Sequence, residues 1–307
     1  MKNKHITQKP NNLKKGDCIG IVCPAGFMPL KNAETCIKTL QNWGYKVKVG
    51  KTLGNEFHYF SGTDDERRID LQAMLDDANI KAILFGRGGY GVGRIIDELD
   101  FSLFKKNPKW LIGFSDITIL HTHIKSNFKI ASLHAPMAAA FNKGGYKNQY
   151  VLSLQKALKG IKSNYTCKPH VLNKIGMVEG ELIGGNLTLL AHVLGTKSEF
   201  KTKNKILFIE DVGEYIYNVD RMLYQLKRSG KLKNLAGLIV GGFTDMKDTV
   251  TPFGKKVYQV IQDIVAEYQY PVCYNFPVSH SKENVALKVG VVHQLNISSK
   301  KVTLKEV

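Results

Sequence analysis

The chain of 307 residues lacks most of what marks membrane, secreted and metal-binding proteins. No apolar run approaches the roughly 20 residues that a membrane-spanning helix needs. Residues 1–17 are polar and lysine-rich with no apolar centre, so neither a secretory signal nor an anchor is expected there. The five cysteines (Cys18, Cys23, Cys36, Cys167 and Cys273) are odd in number and contain no Cys-x-x-Cys pair. That spacing excludes a disulfide framework and a zinc site, and points to a reducing cytoplasm with no metal or cofactor. Acidic residues are scarce, 26 against 44 basic, leaving a net charge of +18. Arginine is scarcer still: Arg67, Arg68, Arg87, Arg94, Arg221 and Arg228 are all there are. The lysines are scattered without an aromatic-interleaved basic block, which reads as a solvated surface and excludes a nucleic-acid partner as much as a membrane one. Such a field still draws in a small acidic substrate.

What is present is an ordinary soluble composition, 43% hydrophobic, on a chain long enough for two domains. There is no internal repeat or low-complexity segment. Strands are expected at 18–23, 45–49, 80–85, 110–113 and 129–133. Helices are expected at about 30–43, stopped by Gly44, from a Thr63 to Glu66 capping box onward, at 92–99, after Ile117, and at 149–158. Strand and helix alternate, which implies a parallel sheet with its ligands at the carboxyl ends of the strands. A polar linker is expected at 161–176, separating a first domain (1–160) from a second (177–307). The second carries strands at 177–183, 205–209 and 235–240, helices at 186–194, 218–228 and 251–268, and an antiparallel tail over 285–292 and 295–307.

The pivotal stretch is Trp110-Leu111-Ile112-Gly113-Phe114-Ser115-Asp116-Ile117, an apolar strand turning into a helix at Ser115. Such a corner exposes a side chain above the sheet edge and aims backbone N–H groups at the space beside it, as a nucleophilic serine needs. The match to Gly-x-Ser-x-Gly is partial, with Ile117 in place of the second glycine, and helix capping is the competing reading. Gly86-Arg87-Gly88-Gly89-Tyr90-Gly91 also follows a strand and satisfies Gly-x-Gly-x-x-Gly, which admits a dinucleotide-binding oxidoreductase as an alternative. Against that, the loop follows the third strand, and Arg87 and Tyr90 crowd a turn meant for pyrophosphate. The other reading is that the loop brings an N–H toward an oxyanion beside Ser115. A non-enzymatic sugar- or peptide-binding protein also suits two α/β lobes, but leaves Ser115, Glu210 and His280 without a role.

Among the histidines, His121 and His123 face different sides of one helix, form no metal pair and read as surface or packing residues. His134 is a candidate for lining the site. His280, in the polar turn Pro277-Val278-Ser279-His280-Ser281, is the better base. Glu210 ends the apolar strand Ile206-Leu207-Phe208-Ile209 and is the candidate orienting acid, with Asp211 and Glu214 close by.

Taken in order, Pro24-Ala25-Gly26, Gly86-Arg87-Gly88-Gly89-Tyr90-Gly91, Ile112-Gly113-Phe114-Ser115-Asp116, Gly184-Gly185-Asn186-Leu187, Phe208-Ile209-Glu210-Asp211 and Val278-Ser279-His280 resemble the LD-carboxypeptidases over nearly the whole chain. That family comprises murein tetrapeptide carboxypeptidases and microcin C self-immunity peptidases. The resemblance implies a serine peptidase without metal: Ser115 as nucleophile, His280 as base, Glu210 as orienter, and the N–H groups of Asp116 and Gly89 as oxyanion hole. Gly88, Arg87 and Asn186 are the expected substrate contacts. It also implies an α/β fold with a Rossmann-like parallel-sheet first domain and a second α/β domain with a barrel-like sheet, paired as a homodimer. The expected substrate is a small murein peptide that loses its terminal D-alanine. The alternative within the family is an aminoacyl-nucleotide amide.

Overall fold

The structure, a computed structural model, describes residues 7–307. Its strands are β1 (Cys18–Val22), β2 (Lys46–Val49), β3 (Ile80–Phe85), β4 (Trp110–Gly113), β5 (Ser132–His134), β6 (Asn164–Cys167), β7 (Gly176–Asn186), β8 (Lys205–Val212), β9 (Gly237–Thr244), β10 (Val272–Cys273), β11 (Leu287–Val289), β12 (Val292–Ile297) and β13 (Val302–Glu306). Between them run α1 (Glu34–Asn42), α2 (Asp64–Asp76), α3 (Val92–Ile95), α4 (Ser102–Lys106), α5 (Thr118–Phe128), α6 (Gln149–Leu158), α7 (Leu187–His192), α8 (Ile216–Arg228) and α9 (Val257–Val265). The class is mixed α/β. The chain forms two units, the first running through Ile161 and taking in Val285–Lys288, the second made of Lys162–Asn284 and Val289–Val307. No helix among the described residues is long and apolar enough to cross a membrane.

In the first unit the sheet order is β11-β5-β4-β3-β1-β2, and β2, β1, β3, β4 and β5 are parallel. All four residues of β4 are buried, as a parallel strand covered on both faces requires. The order reverses direction at β1, so the loops after β1 and β3 leave the sheet at its switch point, where α/β sheets place ligands. The capping box forms as expected: Thr63 Oγ1 accepts from Glu66 N–H at 3.2 Å while Glu66 Oε2 accepts from Thr63 N–H at 2.7 Å. The other end of α2 is closed by Lys109, whose buried ammonium donates to the carbonyls of Met74, Leu75 and Asp77 at 3.1, 2.8 and 2.7 Å. Burial pulls its pKa down to about 8, and a cation at a helix C-terminus is what the dipole favours.

Arg67 is the first unit's central polar residue. Its guanidinium is wholly buried, donates to the carbonyls of Gly62, Pro24 and Gly91 at 3.2, 2.7 and 3.1 Å, pairs with Asp64, and lies over the Phe60 ring. One side chain thereby joins α2 to the loops that follow β1 and β3.

The second unit's sheet runs β10-β9-β8-β7-β12-β13-β6, with β10, β9, β8 and β7 parallel and β7, β12, β13 and β6 antiparallel. Its order is open, and no ladder joins β10 to β6.

Several elements depart from the sequence-based expectation. The stretch 161–176 holds β6, whose alternation is hidden by short polar residues and whose partner β13 lies at the far end of the chain. Val285–Lys288 belongs to the first unit, where β11 lies beside β5; only β12 and β13 form the antiparallel tail. The strand expected from Lys129 begins at Ser132, because Lys129 takes a left-handed C-cap (φ 57°) on α5. The helix expected over 251–268 is confined to α9. Upstream of it, Asp248 accepts from Thr249 N–H and Phe253 N–H, a local turn that competes with helix.

Removing Arg67 takes the guanidinium from the buried carbonyls of Gly62 and Pro24 and leaves Gly91 O to Arg94 N–H alone, and we expect Arg67→Ala to lower the unfolding free energy of the first unit by about 3–5 kcal/mol. Urea denaturation followed by fluorescence checks this; a loss below about 1 kcal/mol contradicts the role given to the guanidinium.

Candidate active site

At the end of β4 the backbone is extended at Phe114 (φ −149°, ψ −171°) and then enters the left-handed region at Ser115 (φ 64°). A non-glycine residue held there stores about 1–3 kcal/mol of strain, a feature that clusters at functional corners. The capping alternative is set aside, because no side chain caps the short 3-10 turn Ser115–Ile117 or α5 after it. An N-cap needs an extended backbone, and Ser115 does not have one.

Gly88 explains how the corner is accommodated. A β-carbon there would stand 3.0 Å from Ser115 Cβ and 3.2 Å from its Oγ, so any side chain at this place crowds the serine and glycine lets the loop after β3 lie against it. The same residue's carbonyl accepts from Gly26 N–H at 3.0 Å, which ties in the loop after β1. Arg87 is exposed and turned toward that loop, its Nη1 donating to Phe27 O at 2.8 Å. The N–H groups of Asp116 and Gly89 donate to no other group among the described residues. The Asp116 carboxylate is buried and accepts from Val92 N–H at 2.8 Å; burial lifts its pKa to about 6. It fixes α3 to the serine corner, a duty that leaves its backbone N–H uncommitted.

In the second unit Glu210 is wholly buried on β8, and its Oε2 accepts from His280 Nδ1 at 2.6 Å. Its neighbours are occupied elsewhere. Asp211 accepts from Asn186 Nδ2 at 2.8 Å and from Thr188 N–H and Oγ1 at 3.0 and 2.9 Å, while Glu214 reaches Asn218 and Thr188. Of the three acids it is therefore Glu210 that meets His280. Burial and the adjacent Glu210 charge raise Asp211 to about 6. Asn186 spends its carboxamide on Asp211 and on Leu189 N–H at 3.2 Å, as the N-cap of α7.

The pairing of β8 with β9 slips between Ile209 and Asp211, opposite Gly241 and Gly242. A β-carbon on Gly241 would meet Val278 O at 2.2 Å and Glu210 Cβ at 3.2 Å. The bulge lets the 278–280 segment cross over the strand, held by Gly242 N–H donating to Val278 O at 2.9 Å, and so brings His280 to Glu210. For His280, burial of the ring acts to lower the pKa, but the Glu210 charge, the hydrogen bond to it and the Asp211 charge outweigh burial, and the ring titrates above the ordinary histidine value.

The other histidines weighed from the sequence, His121, His123 and His134, lie in the first unit. His121 is fully buried with Nε2 against Gly113 O at 2.9 Å, and burial lowers its pKa to about 4; a packing residue, as expected, though not a surface one. His123 packs on Phe101 and Phe128, and His134 is buried beside Phe114. Three residues escaped the sequence reading: Arg67, Gly241 and Gly242. Arg67 occupies the apolar stripe of α2 with Leu71 and Met74, a position where a charge signals a buried partner, and paired glycines in an apolar strand signal a bulge.

Residues 19–135 match the LD-carboxypeptidase N-terminal domain and residues 179–295 the LD-carboxypeptidase C-terminal domain. The chain belongs to the LD-carboxypeptidase family. A probable murein peptide carboxypeptidase of Bacillus subtilis (strain 168) is 37% identical over 306 residues, 96% of this chain and 93% of that one. The murein tetrapeptide carboxypeptidase of Pseudomonas aeruginosa is 30% identical over 89% of this chain and 91% of its own. Among solved structures, the muramoyltetrapeptide carboxypeptidase of Oxalobacter formigenes superposes with a TM-score of 0.86 at 29% identity, over 94% of this chain and 98% of that one. The microcin C7 self-immunity protein MccF in its wild-type apo state does so with 0.86 at 25% identity, over 96% and 98%. In this LD-carboxypeptidase the glycine loop follows β3 and closes on Ser115, which is not the first-strand placement of a dinucleotide site.

Replacing Glu210 by Gln removes the charge that lifts His280 and leaves the burial that depresses it. The His280 ring is expected to titrate above the ordinary histidine value in the native protein and distinctly lower in Glu210→Gln, measured by NMR of the labelled imidazole. An unchanged titration contradicts the coupling.

Proposed function

We propose that this LD-carboxypeptidase is a serine peptidase that hydrolyses the bond between an L-centre and the terminal D-alanine of a murein tetrapeptide, releasing tripeptide for peptidoglycan recycling. The observation that carries the reading is the Glu210–His280 hydrogen bond. A carboxylate on Nδ1 fixes the tautomer of the neutral ring, so the lone pair sits on Nε2, the arrangement of a general base. In this mechanism His280 takes the proton of Ser115 as Oγ attacks the carbonyl carbon. The uncommitted N–H groups of Asp116 and Gly89 stabilise the oxyanion. His280 then returns the proton to the amine of departing D-alanine, and a water, deprotonated by the same ring, hydrolyses the acyl-enzyme.

The Gly88 backbone, which borders Ser115, and Arg87, its neighbour in the glycine loop, are assigned to peptide contact; Asn186 acts one step back, through Asp211. The net positive charge favours capture of a peptide rich in carboxylates. A first domain of Rossmann-like winding, a barrel-like second sheet, work as a homodimer and a cytoplasmic location complete the proposal. Sedimentation of the purified protein tests the dimer.

The deciding experiment offers murein tetrapeptide and, separately, an aspartyl sulfamoyl adenosine, and follows D-alanine release and amide hydrolysis. Turnover of the first with little of the second is expected; the reverse favours the microcin-type reading. Ser115→Ala should lose D-alanine release by several powers of ten with its circular dichroism unchanged, and more than about a hundredth of native activity contradicts a nucleophile. Because the mechanism is carried by a serine, an imidazole and backbone donors, EDTA should leave the rate unchanged. Loss of activity restored by zinc overturns it.

A further inference from the structure

The bulge in the second sheet sets two β9 residues, Gly241 and Gly242, against Glu210 alone. A bulge breaks the ladder where it sits, so the backbone groups there need fixing from elsewhere. Val240 O accepts from Phe276 N–H at 3.2 Å and Gly242 N–H donates to Val278 O at 2.9 Å, which seats the segment leading to His280. Between these two bonds lies the Gly241 carbonyl, which accepts from the Tyr258 hydroxyl of α9 at 2.9 Å. The Tyr258 ring is half-buried and met by three others, His170 edge to face at 5.5 Å, Tyr274 at 5.6 Å and Phe243 at 6.4 Å. Packing of these four rings, from four separate stretches of the second unit, restrains the phenol. Burial pushes its pKa up to about 12, so the hydroxyl stays a donor throughout the neutral range.

We propose that Tyr258 is a positioning residue for the acid–base pair: its hydroxyl holds the Gly241 peptide in the bulged form that lets Glu210 and the 278–280 segment meet. The inference rests on the reading of Glu210 as orienter and His280 as base. The path from hydroxyl to pair is short. A β-carbon on Gly241 would stand 3.2 Å from Glu210 Cβ and 2.2 Å from Val278 O, so the Gly241 backbone lies against both the strand that carries the acid and the segment that carries the base. A Gly241 peptide released to rotate shifts one against the other. The Glu210–His280 hydrogen bond of 2.6 Å leaves little room for such a shift, and proton transfer loses rate steeply with small displacements. Because Tyr258 acts through the backbone, its loss is expected to affect turnover rather than substrate binding.

Tyr258→Phe removes the hydroxyl and keeps the ring. The His280 imidazole, which feels the charges of Glu210 and Asp211, is titrated by NMR in the native protein and in the variant, and kcat and KM for murein tetrapeptide are measured beside it. Expected are a His280 pKa lower by about half a unit or more and a kcat about tenfold lower with KM within about twofold, on an unchanged circular dichroism spectrum. Tyr274→Phe removes a neighbouring hydroxyl, leaves the bond to Gly241 O in place and should match the native protein in both readings. A His280 titration in Tyr258→Phe equal to the native one, or equal shifts in the two variants, overturns the proposal. The titration needs no substrate. Inactivity of the native protein on murein tetrapeptide therefore defeats the functional reading alone, and the NMR comparison still decides the role of Tyr258.

Discussion

Ser115 at φ 64° is the constraint on which the first unit turns. A side chain in that region is disfavoured, so the corner persists only because its surroundings over-determine it. Gly88 lies against the serine where a side chain would crowd it, Asp116 is tethered to the N-terminus of α3, and the buried Arg67 binds the carbonyls of Pro24 and Gly91. Together these contacts tie down the three loops leaving β1, β3 and β4. Beside this corner the N–H groups of Asp116 and, in the loop after β3, Gly89 meet no acceptor among the described residues. A relaxed corner would place Ser115 as a helix cap and satisfy it internally.

The second unit solves a different problem, that of a carboxylate taken wholly out of water. Glu210 has a single hydrogen-bonding partner among the described residues, His280, and the adjacent Asp211 is another buried acid. Two neighbouring buried acids disfavour each other's charge. Asp211 is stabilised by Asn186, Thr188 and the Val212 N–H, and Glu210 by an imidazole that is thereby made more basic. The bulge at Gly241 and Gly242 is what permits this, since backbone from 278 onward can cross β9 only where side chains are missing.

Much of this was legible in the sequence because it rests on local signals. The strands β3 and β4 and the helix α6 have the bounds that apolar runs and periodicity indicate, and the capping box at Thr63 is a four-residue pattern. Ser115, Glu210 and His280 could be singled out because each ends or interrupts an apolar run. What was not legible depends on distant partners. β6 is a strand only because β13 pairs with it, β11 enters the first sheet from near the end of the chain, and Arg67 is defined by carbonyls of three separate loops. Asn186 donates to Asp211, a residue whose importance shows only when its four hydrogen bonds are counted.

The central claim is that the strained corner makes Ser115 a nucleophile served by His280. Covalent labelling with a fluorophosphonate, mapped by mass spectrometry across a pH series, tests it directly. The account requires one phosphonyl group on Ser115, formed in step with loss of activity, with a labelling rate that falls as His280 becomes protonated and collapses in His280→Ala. Inactivation with the label on another residue, or labelling of Ser115 at the same rate without His280, contradicts it.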